Sequence, residues 1–169
     1  RYNTYYYGVN SYFGNAGTFC WFIGDVRPGK GFDGIFQINS RTKPKDISDG
    51  SSKTVMVGER HSFEPNWVDA AGNQQLHTRR GWAWSRYMAI QDVLCSSFVP
   101  INFMMSNNSR SQQDQRLNAF GSAHDGGCYF VWCDGSVRML TLESTSDLGV
   151  FQLLCRPSDG ETVGAANGL

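Results

Sequence analysis

Phe120-Gly-Ser-Ala-His124-Asp-Gly-Gly-Cys128-Tyr-Phe-Val-Trp-Cys133-Asp134-Gly135-Ser-Val-Arg-Met-Leu140 carries the clearest hairpin signal in the chain. Two apolar, β-prone runs flank Asp134-Gly135, a pair suited to a two-residue type I′ turn because both of its positions need φ > 0. Such a turn sets Cys133 opposite Ser136, Trp132 opposite Val137, Phe130 opposite Met139 and Cys128 opposite Thr141. Side chains alternate along a strand, so Cys128, Phe130, Trp132, Val137 and Met139 are expected on one face, the core face. Tyr129, Val131, Cys133, Arg138 and Leu140 fall on the other.

The rest of the chain supplies partners for this hairpin. Lys45-Asp46-Ile-Ser-Asp49-Gly50-Ser-Ser52 is turn chemistry, because Asp and Ser accept local main-chain hydrogen bonds and Gly takes φ > 0. The β-branched run Thr54-Val-Met-Val-Gly58-Glu59 follows as a strand expected at the centre of the sheet. Gly34-Ile-Phe-Gln-Ile-Asn39 is expected to add a short strand. Tyr5, Tyr7 and Val9 alternate on one strand face, and Gly14-Asn15-Ala16-Gly17 is expected to turn. Residues 61–80 lose the pattern and are expected as a variable surface insertion, and 106–115 as loop. Gly81-Trp82-Ala-Trp84 returns to alternation, and the apolar stretch 92–105 requires cover. Beyond the hairpin, Asp147 precedes Leu148, Phe151, Leu154 and Cys155 at helical spacing, with Pro157 and Gly160 to stop the helix. The expected fold is α+β: a mainly antiparallel sheet of six or seven strands with a C-terminal hairpin and a short packing helix. It forms one globular domain over residues 1–169.

Charge narrows the function classes. Fifteen Lys and Arg balance fifteen Asp and Glu in 169 residues. That balance leaves no electrostatic footprint for nucleic acid or an anionic membrane, and it does little to oppose self-association. No apolar run reaches the length of a membrane span. The five cysteines include no Cys-x2-Cys pair. A disulfide is expected among Cys20, Cys95 and Cys155, while Cys128 and Cys133 point to opposite faces of their strand.

Two quoted stretches carry a family resemblance. His124 stands in Phe-Gly-Ser-x-His-x9-Asp-Gly-Ser-Val, and Ile47 to Glu59 follows Ile-x-Asp-Gly-x-Ser-x-Thr-x-x-Val-Gly-Glu. Together with the tail from Phe151 to Gly164, they resemble a bacterial family of pilin-like secreted proteins catalogued as a domain of unknown function. The resemblance implies a pilin-like globular head, secreted or at the cell surface, whose hydrophobic N-terminal helix is not in this chain. Any membrane contact would run through that helix. The motif positions His124, Asp134, Gly135, Asp49, Gly50, Gly58 and Glu59 are then structural. Asp46 and Asp49 could line a calcium loop, as pilin-like secretion subunits often bind calcium, although the spacing is not that of an EF-hand; otherwise no cofactor is expected.

The expected function is a self-assembling, extracellular structural subunit without catalysis. One alternative is a carbohydrate-binding or adhesive module using exposed Tyr5, Tyr7, Trp82 and Trp84. A further alternative is a hydrolase in which Asp134 or Asp125 orients His124 beside Ser122. Neither a Gly-x-Ser-x-Gly elbow nor a His-Glu-x-x-His motif accompanies it. The plainer expectation for His124 is a hydrogen bond to main chain or to Asp134 that pins the entry to the hairpin. His61, His77, His124 and Glu59 offer no short-range ligand pair, so no metal centre is expected.

Overall fold

The computed structural model describes residues 8–20, 33–37, 39–68 and 90–160. Tyr5, Tyr7, Trp82 and Trp84 lie outside these. The fold is α+β and mostly antiparallel, as expected, with five strands, against the six or seven expected, and two helices among the described residues. In chain order these are β1 (Tyr12–Asn15), β2 (Val55–Glu59), β3 (Leu94–Cys95), α1 (Arg110–Asn118), β4 (Gly127–Trp132), β5 (Val137–Thr141) and α2 (Leu148–Cys155). The sheet order among the described residues is β3-β1-β2-β4-β5, in which the β1–β3 pair is parallel and the others antiparallel. The β-branched run of β2 therefore holds the centre, where both of its sides find partners.

One face of the sheet is the core. Phe13 from β1, Val55 from β2 and Cys128, Phe130 and Trp132 from β4 meet Phe151, Leu154 and Cys155 of α2. Phe120 completes this cluster, 5.2 Å from the Phe130 ring and 6.4 Å from the Phe151 ring. Helix α2 starts where its sequence signal lies: the Asp147 carboxylate accepts the amides of Gly149 and Val150. Buried Asn15 fastens the layers together by donating to the carbonyls of Val55 and Cys155.

The hairpin register is one residue away from the expected one. Phe130 pairs with Arg138, Tyr129 with Met139 and Cys128 with Leu140. Trp132 closes the ladder, donating its amide to the Ser136 carbonyl at 2.9 Å and accepting the Gly135 amide at 2.9 Å. The loop is therefore Cys133-Asp134-Gly135, with Gly135 at φ 84°, the three-residue connection in which the left-handed residue forms a bulge. A shift of one residue turns every β5 side chain over. Leu140 enters the core, Val137 and Met139 face out, and the Arg138 guanidinium lies 4.1 Å over the Trp132 ring.

Four other expectations change. Residues 34–37 form no strand, although Gly34 and Phe36 donate amides to the Ala16 and Asn15 carbonyls. Gly14 and Asn15 belong to β1 rather than to a turn. The polar stretch read as loop becomes α1 from Arg110, capped by the Ser109 side chain and buried only through Arg116, Leu117 and Asn118 in its last turn. Within 61–80, the described part is partly interior, with Glu64 and Trp67 buried.

Candidate functional site

The motif residues separate into two ends of the sheet. At one end, the Glu59 carbonyl accepts the Gly121 amide at 2.8 Å, and its carboxylate Oε2 accepts the Tyr129 amide at 2.9 Å. The other carboxylate oxygen lies 3.6 Å from His124 Nε2, an ion-pair distance rather than a tight hydrogen bond. His124 meets the Tyr129 ring at 88° with centroids 5.4 Å apart, and its amide donates to Ser122 Oγ at 3.2 Å. Asn102 supports the turn, its Oδ1 accepting the Ser122 amide at 2.7 Å. Glu59 thus ties the end of β2 to the approach to β4.

At the other end, Asp134 accepts the Ser136 amide and hydroxyl at 2.9 and 2.6 Å, with Arg138 at 3.5 Å. The Ser136 hydrogen bonds hold its carboxyl below the usual range, with Arg138 adding less. The whole of β4 separates Asp134 from His124. The His124 ring lies beside Glu59, not beside Asp134. Sequence reading had marked both residues without pairing them, because their spacing is set by tertiary contact alone.

The turn before β2 receives the far end of the hairpin and the chain after α2. Ser51 and Thr54 carbonyls accept the amides of Asp134 and Cys133. Asp49 accepts the amides of Asp159 and Gly160 at 2.9 and 3.2 Å, and Gly50 takes φ 103°. Asp46 accepts the Lys43 amide at 2.8 Å to close a short 3-10 turn. Both carboxylates expected to offer calcium ligands are therefore engaged with main chain. Among the described residues no group of three His, Cys, Asp or Glu is disposed to hold a metal.

All five cysteines are thiols, so no disulfide joins Cys20, Cys95 or Cys155. Burial pushes Cys128 and Cys155 up to about 12 and partly buried Cys133 to about 11. Thiols held neutral in this way are poor nucleophiles.

Sequence reading missed a buried ionic layer beside this end of the sheet. The Arg60 guanidinium turns inward over the Phe13 ring, 3.7 Å from its centroid, and donates to the carbonyls of Gln91 and Leu117. Arg116 pairs with Glu64 at 3.2 Å, both interior, and donates to the carbonyls of His61 and Phe63. Burial, then the neighbouring Arg60 charge, lowers Arg116 to about 10. The signal available in the sequence was Glu64 itself, a charged residue between apolar Phe63 and Trp67.

Outside this layer lies an open cleft of about 160 Å³ lined by Ser11, Glu59, Arg60, His61, Ser62 and the 121–123 segment. Burial, and secondarily Arg116, lowers the His61 pKa. On the outer face of the sheet the pairings Tyr12–Glu59 and Tyr129–Met139, with the Glu59–Tyr129 contact between them, form one row across four strands. Tyr12 is 61% exposed and Tyr129 43%.

Neither the curated proteins nor the solved structures contain a match to this chain. Among protein families, residues 2–146 match the one described as a protein of unknown function, DUF1559. This span takes in the Glu59 and His124 segments and the hairpin and stops before α2, and the chain belongs to that family.

Proposed function

We propose that this domain is a structural subunit of an extracellular, pilin-like assembly and that it performs no catalysis. The observation that carries the proposal is the side of β5 that no described strand pairs. Among the described residues β5 is the outermost strand beyond β4. Alternation turns Ser136, Arg138 and Leu140 toward β4 and leaves the N–H and C=O groups of Val137 and Met139 on the open side. Their side chains are 62% and 41% exposed on the outer face. A strand edge with apolar side chains and a single cation is a template for pairing with another strand. Family membership supports the same assignment, since the motif residues resemble those of pilin-like proteins. So does the use of Glu59, His124, Asp49 and Asp134 in holding the fold. Zero net charge removes a barrier to association.

Negative-stain electron microscopy of native material at physiological salt tests the proposal. Filaments, tubes or sheets are expected, and Val137→Lys with Met139→Lys should disperse them without lowering the melting temperature. Only dispersed monomers in the unaltered protein would overturn it.

A further inference from the structure

The cleft at the end of β1 and β2 has a chemistry that subunit packing does not require. Its lining residues include three serines, Ser11, Ser62 and Ser122, together with Glu59, Arg60 and His61. Ser122 Oγ accepts the His124 amide and keeps its own proton to donate. Among the described residues no hydrogen bond engages the Ser11 or Ser62 hydroxyl.

Each simple ligand class but one meets an obstacle. Among the described lining residues the one guanidinium, that of Arg60, is turned into the core and so is not offered to an anion. A metal ion finds no group of three ligands among the described residues. An apolar ligand finds hydroxyl, carboxylate and imidazole instead of a greasy wall. What fits is a neutral molecule with many hydroxyls, each able to donate and accept. The outer face supplies the second element of such recognition. Glu59 lines the cleft and also stands in the strand row between Tyr12 and Tyr129, whose exposed rings suit stacking against the C–H face of a sugar. His124, 58% exposed, borders the same carboxylate.

We propose that this cleft, with Tyr12 and Tyr129 beside it, is a binding site for a neutral oligosaccharide whose hydroxyls enter among Ser11, Ser62, Ser122 and Glu59. The site does not depend on assembly: a monomer carries every group named. The cleft is small, so one ring enters it and specificity rests on few contacts.

Isothermal titration of the full chain with cellohexaose, chitohexaose and xylohexaose tests the site, alongside Tyr12→Ala and Ser62→Ala variants. Saturable binding of at least one sugar is expected, weakened about tenfold or more by each substitution. Circular dichroism melts should stay unchanged, since neither residue is in the core. Absence of binding to all three at millimolar concentration would overturn the proposal. So would binding that survives both substitutions. If Tyr12→Ala changes sedimentation and leaves sugar binding intact, the tyrosine row belongs to a contact between copies and the proposal also fails.

Discussion

Gly58 pairs with Phe130 across β2 and β4, and a Cβ there would stand 2.4 Å from the Phe130 ring and 2.7 Å from the Phe120 ring. The residue is a glycine for want of space, since it is not among the positive-φ positions. Both rings belong to the packed cluster with Phe151, so neither can move without disturbing α2. Gly58→Ala should therefore cost about 2 kcal/mol or more of stability, read as a lowered urea midpoint. An unchanged midpoint would mean that the aromatic cluster yields freely. Gly135 is a glycine for the opposite reason: φ 84° demands it, while the space around it is open. The sequence marks both positions as glycine, and only the structure separates the two causes.

At the scale of elements, the hairpin and α1 illustrate how local signals are read and misread. Asp134-Gly135 located the turn correctly, but two-residue and three-residue loops share that pair, and the choice depends on which β5 residues the core can take. Leu140 fills the site opposite Cys128, and Arg138 covers Trp132 while donating to the Ser52 carbonyl at 2.7 Å. Helix α1 has no apolar stripe to announce it, because polar bonds hold its last turn. Asn118 accepts the Cys20 amide and the Ser96 hydroxyl, and Arg116 reaches Glu64. Glu64 also accepts the amides of Asn66 and Met105. Glu64→Gln should therefore destabilise by about 3 kcal/mol, since it leaves the Arg116 charge buried without compensation. Chemical denaturation checks this, and a loss below about 1 kcal/mol would mean that water or another group reaches the guanidinium.

Over the whole molecule, one source of acid sensitivity is the partial burial of His61 beside Arg116. The folded state holds His61 below its ordinary pKa, first by burial and then through Arg116. The unfolded chain therefore binds the proton more readily, so the His61 contribution to stability is fully present above about pH 6.5 and is lost as the pH falls below it. Urea midpoints at about pH 7.5 and about pH 5.5 should show this decline, and His61→Gln should reduce it. An equal slope in the variant would assign the acid sensitivity elsewhere. The sequence alone determined the fold class, the central place of β2, the helix after Asp147 and the core face of β4. Each of these rests on local periodicity and turn or cap chemistry, which a short window contains. Only the tertiary structure decided the hairpin register, the pairing of His124 with Glu59, the inward turn of Arg60 and the joining of Ser11, Ser62 and Ser122 in one cleft. Those outcomes depend on which distant surfaces fit together, and volume, burial and unpaired polar groups settle that competition only when the whole chain packs.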